Sequence, residues 1–294
     1  MTTSAAPMPH CPLCKADRTT PRFRHGAYTI FACRACRGGF AWPRLRPEEL
    51  DAVYDEEYAG HYAAGTMNEV GFARVRFREL EESLRTFAPR LLEGEGHRLL
   101  DVGCASGRLA HEFLGRGWHA EGVEFLPRLA EVARSSGLTV HLGDFMRLAL
   151  AEGSYDLITM FHVIEHFDSP CEAVAKCRAL LRRGGLLVLE TPNWRGIGAL
   201  LRGSRWSHII PPEHLNYFGP GALSGLVLRA GFSDALAQTV TPQVIESVVE
   251  APRLAQLVVR GGYRLATLLG IGSTLQVFAF KDRLPRDGDR ERAS

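Results

Sequence analysis

The sequence lacks the features that direct a chain into or across a membrane. No stretch of about 18 or more residues is purely apolar, so no spanning helix is expected. The opening residues MTTSAAPMPH contain neither a basic segment nor an apolar segment, so no signal peptide is expected. We therefore predict a cytoplasmic protein.

An excess of positive charge is also missing. Lysine occurs only at positions 15, 176 and 281, and the formal net charge of the 294 residues is +2. Proteins that bind nucleic acid through phosphate contacts usually carry a strongly basic face. The composition therefore predicts no nucleic-acid partner.

A disulfide framework is not indicated, although the chain has seven cysteines. Cys104, Cys171 and Cys177 are scattered, which suits a reducing compartment. The other four form two C-x-x-C pairs, CPLC and CRAC, at Cys11, Cys14, Cys33 and Cys36. Four thiolates complete a tetrahedron around zinc and leave no position for water. We predict a structural Zn²⁺ ion in a zinc ribbon over residues 1–45, with a short hairpin between the pairs. Redox-active pairs or disulfides are the alternatives.

Residues 46–95 are predicted to form a helical linker or lid. Tyr54, Tyr58 and Tyr62 follow one another at helical spacing, and FARVRFRELEESLRTFAPRLLEG reads as an amphipathic helix. The tyrosines either pack on the next domain or close over a cofactor or substrate. The sequence leaves both alternatives open.

From residue 96 onward, apolar strands alternate with helical segments. The strands in order are RLLDVGC, WHAEGVEF, TVHLGD, YDLITMF and LLVLETP. Helical segments of ten to fifteen residues between strands predict a doubly wound parallel sheet. Such sheets bind ligands at the carboxyl ends of their strands.

Three consecutive strand ends carry residues that suit a nucleoside. The first strand continues from Asp101 to Gly107 as D-V-G-C-A-S-G, which has only one of the three glycines of a dinucleotide-binding G-x-G-x-x-G turn. Glu124 ends the second strand, where an acidic residue can accept both ribose hydroxyls. Asp144 follows the third strand, placed to accept from an exocyclic amine, with Phe145 beside the base. Together they indicate one nucleoside ligand.

In these motifs, residues 98–195 resemble the class I S-adenosylmethionine-dependent methyltransferases. The resemblance implies an α/β, Rossmann-like fold with a seven-stranded sheet, whose seventh strand, STLQVFAFKD, is antiparallel. It implies S-adenosylmethionine as the cofactor, with the glycine-containing turn at the methionine end. The implied cofactor-binding residues are Asp101, Gly103, Cys104, Ala105, Gly107, Glu124, Phe125, Asp144, Phe145, Phe161 and His162.

Candidate catalytic bases occur in two segments. HVIEH, at the end of the fourth strand, contains His166, and PPEHLNYF, after the fifth strand, contains Glu213 and His214. The second segment resembles zinc-bearing sugar C-methyltransferases, in which a Glu-His pair followed by an aromatic residue supplies the base. That resemblance implies His214 with Glu213 as the catalytic pair. A packing role is the alternative for both segments.

The fourth-strand motif narrows the expected acceptor. Enzymes that methylate amino groups of nucleic-acid bases often have D/N-P-P-Y/F there, whereas HVIEH resembles small-molecule methyltransferases. We therefore expect methyl transfer to a small-molecule acceptor, as a sugar, glycan or secondary-metabolite intermediate. An RNA methyltransferase that holds RNA with its ribbon, and a non-catalytic cofactor-binding scaffold, are the alternatives.

The C-terminal third completes the predicted organisation. A methyltransferase domain is expected over residues 96–283, with an apolar helical insertion at about 243–271. The insertion is expected to cap the sheet or to form a dimer contact. Because arginines are its only basic residues amid leucine and valine, contact of residues 244–271 with a membrane surface is the sharper alternative. The tail, residues 284–294, is expected to be disordered, and the sequence predicts no oligomeric state.

Overall fold

The computed structural model describes residues 8–44, 69–93, 95–240, 265–267 and 269–282. Three predictions therefore fall wholly or largely outside the described residues: the tyrosine lid, the helical insertion and the C-terminal tail. In the described part of the chain, no helix has the length and apolar character that crossing a bilayer requires.

Eleven strands and six α-helices are described. The strands are β1 (Thr19–His25), β2 (Tyr28–Cys33), β3 (Gly39–Trp42), β4 (Arg98–Val102), β5 (His119–Glu124), β6 (Thr139–Leu142), β7 (Tyr155–Phe161), β8 (Leu181–Pro192), β9 (Asn216–Tyr217), β10 (Asp234–Val240) and β11 (Thr274–Phe280). The helices are α1 (Glu69–Phe87), α2 (Arg108–Leu114), α3 (Pro127–Ser135), α4 (Pro170–Leu180), α5 (Ile197–Arg202) and α6 (Pro220–Arg229). Short 3₁₀ turns cover Pro89–Leu92, Ile164–His166 and Gly203–Arg205.

A seven-stranded sheet forms the centre of the protein, in the order β10-β11-β8-β7-β4-β5-β6. Strands β4 to β8 pair in parallel, and β11 pairs antiparallel with both β8 and β10. The predicted α/β sheet with an antiparallel seventh strand is therefore confirmed. All seven residues of β11 are buried, as expected for a strand that is covered on both faces.

The two faces of the sheet each pack against their own layer of helices. Along β7, Leu157 belongs to the core on one face and Ile158 to the core on the other, because successive side chains of a strand point to opposite sides. The first core includes Phe77 and Phe113, whose rings lie edge to face with centroids 4.9 Å apart. The second includes Val174 of α4. The alternating strands and helices of the sequence thus become a three-layer unit.

Helix α1 ends earlier than the amphipathic pattern of the sequence predicts. Leu80 and Leu84 are buried on its inner face, as expected, but the helix stops at Phe87. Pro89 begins a separate 3₁₀ turn. The proline ring disfavours the helical conformation at the residue before it, which explains the break at Ala88.

The N-terminal segment forms a second sheet, in the order β1-β2-β3-β9. Strands β1 and β2 form the predicted hairpin between the two cysteine pairs. Strand β9 comes from the PPEHLNYF segment, far along the chain, and pairs with β3 at Gly39–Tyr217 and Phe40–Asn216. Backbone hydrogen bonds therefore join the cysteine-bearing segment to the predicted acceptor loop.

Candidate cofactor and acceptor site

The turn after β4 depends on two glycines. Gly103 and Gly107 have φ values of +73° and +76°, a region that favours glycine. A Cβ atom at Gly103 would lie 2.4 Å from Cγ2 of Val163, and one at Gly107 would lie 2.7 Å from Cδ2 of Leu138. Ala105, where the family pattern has glycine, also has a positive φ of +48°. The backbone of this turn therefore packs closely against the side chains of Val163 and Leu138.

Glu124 holds this turn in place. Its Oε2 accepts a hydrogen bond from the Ala105 amide at 2.9 Å, and its Oε1 accepts one from the Leu126 amide at 2.8 Å. Burial raises the pKa of the Glu124 carboxyl, although the backbone donors act in the opposite direction. The carboxylate predicted at the ribose thus links the glycine-containing turn to the start of α3.

Asp101 and Cys104 are buried beneath the turn. Asp101 accepts a hydrogen bond from the Thr159 hydroxyl at 2.7 Å, and burial raises its pKa to about 7. Cys104 packs on β5 so closely that a Cβ atom at Gly122 would lie 2.4 Å from its Sγ. Both side chains belong to the framework of the predicted cofactor site.

The aromatic residues near the predicted adenine position differ in exposure. The ring of Phe145 is buried, with Nζ of Lys176 5.0 Å from its centroid and the Phe167 ring 6.1 Å away. Asp144 accepts a hydrogen bond from the Met146 amide at 2.9 Å and so orders the turn after β6. Phe125, next to Glu124, is 39% exposed. Of the two predicted aromatic residues, Phe125 presents the larger open surface to a ligand.

At the end of β7, His162 lies between two buried carboxylates. Its Nδ1 is 3.5 Å from Oε1 of Glu165, and its Nε2 is 3.2 Å from Oε1 of Glu190. Burial opposes a charge on this imidazole, but the two carboxylates outweigh it and raise the pKa of His162 to about 9. Glu190 also contacts the Arg76 guanidinium and accepts from the Gln276 amide at 2.7 Å. Arg76 in turn lies over the ring of Phe161, 5.1 Å from its centroid.

The next residues along the chain meet the PPEHLNYF segment. Glu165, His166 and His214 each place a side-chain oxygen or nitrogen within 4.8 Å of the other two, and we call these three residues the acceptor cluster. The rings of His166 and His214 lie edge to face, with centroids 4.9 Å apart. The Glu165 side chain is 1% exposed, and neither of its oxygens has a hydrogen-bond partner among the described residues.

Backbone carbonyls orient both imidazoles of the cluster. Nδ1 of His166 lies 2.9 Å from the Glu213 carbonyl oxygen, and Nδ1 of His214 lies 3.0 Å from the His208 carbonyl oxygen. A carbonyl can only accept, so each Nδ1 carries a proton, and in the neutral form of each ring the lone pair is on Nε2. Burial lowers the pKa of His214 to about 3, which keeps this imidazole neutral at physiological pH.

The structure gives Glu213 and Glu165 different positions from those that the sequence pairing suggests. Sequence analysis pairs the Glu213 carboxylate with His214. In the structure, the Glu213 backbone carbonyl contacts His166, and the Glu165 carboxylate lies within 4.8 Å of a His214 nitrogen. The only sequence signal for Glu165 was the position of HVIEH at the end of a strand. Nothing local links Glu165 to His214, which is 49 positions further along the chain.

Arg44, just after β3, ties the cysteine-bearing segment to the acceptor cluster. Its Nη1 donates to the Leu215 carbonyl at 2.9 Å, and its Nε donates to the Asp168 carboxylate at 2.9 Å. The Leu215 amide in turn donates to the Glu165 carbonyl at 3.0 Å. One buried guanidinium therefore contacts both loops that carry the cluster.

The four N-terminal cysteines have the geometry of a zinc site. Sγ of Cys11 is 3.7 Å from Sγ of Cys36, and Sγ of Cys14 is 3.6 Å from Sγ of Cys33. All four sulfurs lie within 4.8 Å of one another. A zinc–sulfur bond of about 2.3 Å places the corners of a tetrahedron about 3.8 Å apart. The residues present therefore fit one Zn²⁺ ion.

Comparison with known proteins assigns the chain to a family. Residues 72–236 match the methyltransferase domain family. The ubiquinone biosynthesis O-methyltransferase of Cereibacter sphaeroides is 30% identical over 149 residues, which cover 47% of this chain and 60% of the relative. The chain therefore spans less than two thirds of the length of this curated relative.

Solved structures agree on the fold. A phosphoethanolamine N-methyltransferase of Haemonchus contortus, in complex with S-adenosyl-L-methionine, aligns with a TM-score of 0.52 at 17% identity, covering 68% of this chain and 51% of that chain. A S-adenosylmethionine-dependent methyltransferase of Archaeoglobus fulgidus aligns with a TM-score of 0.50 at 19% identity, covering 70% and 94%. At these identities the likeness concerns the fold alone.

Proposed function

The chain belongs to the methyltransferase domain family, and from that premise we propose that it transfers a methyl group from S-adenosylmethionine to a small-molecule acceptor. The observation that carries the proposal is the arrangement at the carboxyl edge of the sheet. The turn held by Glu124 lies after β4, and the acceptor cluster lies after β7. Strands β4 and β7 are direct neighbours, so a cofactor and an acceptor bound at these two places would meet.

The glycine-containing turn would hold the cofactor. Gly103 and Gly107 permit the left-handed conformations of a tight turn, whose backbone would contact the cofactor at the end of β4. Each oxygen of Glu124 accepts one backbone hydrogen bond and retains a further lone pair for a ribose hydroxyl. When bound, S-adenosylmethionine supplies an electrophilic methyl group on a sulfonium. The protein must then align the acceptor with that methyl group.

The acceptor cluster would position the nucleophile. Holding two reactants in line contributes up to roughly 7–11 kcal/mol in favourable cases, so positioning alone can supply much of the acceleration. Where the nucleophile carries a proton, His214 and His166 are the candidate groups to receive it, because the lone pair of each lies on Nε2. A catalytic part for the Glu213 carboxylate stays a prediction.

A hydroxyl-bearing small molecule is the acceptor that the comparisons favour. The matched curated relative is named an O-methyltransferase of ubiquinone biosynthesis, which supports an oxygen nucleophile on a small molecule. The sequence resemblance to sugar-modifying enzymes supports a sugar or glycan hydroxyl as the more specific candidate. Both acceptors would place one oxygen beside the cluster.

The N-terminal segment would act as a structural zinc ribbon. Its four sulfurs fit a closed tetrahedral ion, and its β3 strand pairs with β9 of the acceptor loop. Arg44 strengthens the same junction. Zinc bound there would stabilise the acceptor side of the site without contacting the cofactor or the acceptor.

Calorimetric binding of S-adenosylhomocysteine tests the proposed activity. Wild-type protein should bind it, and Glu124→Gln should bind it about 10- to 100-fold more weakly, because a hydrogen bond to a charged group contributes roughly 1.5–3 kcal/mol. Glu152→Gln, an exposed carboxylate on a loop far from the turn, is the matched control and should bind as the wild type does. Wild-type protein that shows no binding would disprove the assignment.

A further inference from the structure

Glu165 presents an unusual electrostatic situation. A carboxylate that is 1% exposed has lost its water, and neither oxygen receives a hydrogen bond from the described residues. Buried carboxylates without partners cost several kcal/mol, so they are normally paired or bound to a cation. His162 is the nearest described cationic group, but its Nδ1 lies 3.5 Å from Oε1, and it is shared with Glu190.

Two imidazoles converge on the same carboxylate from separate segments. His166 is adjacent in sequence, whereas His214 arrives from the loop before β9. Their ligating atoms and a Glu165 oxygen all lie within 4.8 Å of one another. Two metal–ligand bonds of about 2.0–2.2 Å span at most about 4.4 Å, so binding of one ion would draw these three side chains slightly closer together. Two nitrogens and one carboxylate oxygen thus surround one point.

We propose that Glu165, His166 and His214 bind one divalent transition-metal ion of the zinc class. Imidazole favours zinc and its transition-metal neighbours over magnesium or calcium, which prefer a shell of oxygens. A set of two histidines and one glutamate leaves a fourth position open for water or substrate, unlike the closed four-cysteine site.

The surroundings of the two histidines support this assignment. A histidine that ligates a metal almost always donates its other ring N–H to a carbonyl or carboxylate, which fixes the tautomer and the ring plane. His166 makes this contact with the Glu213 carbonyl at 2.9 Å, and His214 makes it with the His208 carbonyl at 3.0 Å. Stacking of the His208 and His214 rings, with centroids 5.8 Å apart, further fixes the second imidazole.

The ion would define how the acceptor is held. Its open position would bind an oxygen of the small-molecule acceptor and fix that oxygen beside the cofactor turn. This part rests on the proposed methyl transfer, whereas binding of the ion itself does not. The nitrogens of His166 and His214 would then serve as ligands instead of bases.

Metal stoichiometry tests the site without turnover. After equilibrium dialysis of the full chain against micromolar Zn²⁺, the wild type should hold two ions, one at the four cysteines and one at the acceptor cluster. Glu165→Gln, which preserves the side-chain shape, and His214→Ala should each hold one. His119→Ala removes an exposed histidine away from both sites and should still hold two.

Cobalt distinguishes the two ions by their ligands. Co²⁺ bound by thiolates absorbs through sulfur-to-metal charge transfer, whereas Co²⁺ bound by histidine and carboxylate does not. The second equivalent should therefore bind without that absorption, and Glu165→Gln should lose only this equivalent. S-adenosylhomocysteine binding should stay unchanged in Glu165→Gln, which shows that the variant is folded.

Two results would overturn the metal site: one ion in the wild type, or two ions in both cluster variants. A chain that binds S-adenosylhomocysteine and transfers methyl groups with only one ion bound would disprove the metal site and leave the proposed activity intact. A chain that binds two ions but no S-adenosylhomocysteine would support the metal site and disprove the proposed activity.

Discussion

Glu124 and Glu165 are both buried carboxylates that follow strands of the same sheet, yet their surroundings are opposite. Two backbone amides satisfy Glu124, and burial raises its pKa. Among the described residues, no group donates a hydrogen bond to Glu165; burial would raise its pKa too, but the nearby His162 outweighs this and lowers it to about 2. The carboxylate on the cofactor side is thus satisfied by backbone donors, whereas the carboxylate on the acceptor side receives no hydrogen bond from the part of the chain that the structure describes. This difference separates a framework group from a group prepared for a ligand.

The largest expected effect is that substitutions of the two carboxylates impair different steps: Glu165→Gln slows turnover, whereas Glu124→Gln weakens cofactor binding. Glu165→Gln should lower kcat by about 10²-fold, the effect of misplacing a reactant by roughly 1 Å, with little change in S-adenosylhomocysteine affinity. Glu124→Gln should instead lower mainly the affinity for S-adenosylhomocysteine. Single-turnover methyl transfer and calorimetry on the same protein samples measure the two effects. Equal loss of affinity in both variants would remove the distinction between the two sides.

Asp101 provides a pH test of the cofactor side. Burial raises its pKa from 3.8 to about 7, so the native state binds a proton that the unfolded chain releases. Its contribution to stability is complete below about pH 4 and is lost as the pH rises through about 7. Asp101→Asn should remove this loss, of order 2–4 kcal/mol. Chemical denaturation at pH 5 and pH 8 measures it, and an identical pH dependence in wild type and variant would contradict the assignment.

Glycine substitutions separate backbone strain from close contact in the cofactor turn. Gly96 and Gly103 both have positive φ, +83° and +73°, but a Cβ atom at Gly96 meets nothing within 4 Å, whereas one at Gly103 meets Val163. Gly103→Ala should therefore destabilise the protein by about 1–3 kcal/mol more than Gly96→Ala does, as overpacking typically costs. Thermal unfolding gives the difference. Equal destabilisation would show that the turn relaxes easily.

The smallest expected effect concerns the junction between the ribbon and the acceptor cluster. Arg44→Lys keeps the charge but loses the fork that contacts Asp168 and Leu215 together, so a decrease in kcat of about 10-fold is expected, with cofactor affinity unchanged. Arg34→Lys, an exposed arginine in the same segment, is the matched control. An unchanged kcat in Arg44→Lys would show that the cluster is positioned without the ribbon.

Most of the fold could be predicted because its signals are local. The apolar strands, the intervening helices and the antiparallel last strand all appear in the structure at the expected places. Helix α1 ends at Phe87, earlier than expected, because the hydrophobic periodicity continues past Pro89 whereas the α-helical backbone conformation does not. Packing of the Phe145 ring against Phe167 is a tertiary contact that the strand ends alone do not indicate, and contact of Phe145 with the base stays a prediction.

The sequence by itself determined the parts that depend on neighbours along the chain. The spacing of two C-x-x-C pairs, the glycines of the turn after β4 and the acidic residue that ends β5 are each visible within a few residues, because backbone conformation and strand polarity are local properties. Only the tertiary structure decided that the Glu165 carboxylate lies near His214. Pairing of β3 with β9 and the contacts of Arg44 bring Glu165, 49 positions away in sequence, close to this imidazole. Long-range hydrogen bonds and burial choose such partners, and they have no periodic signature in a single sequence.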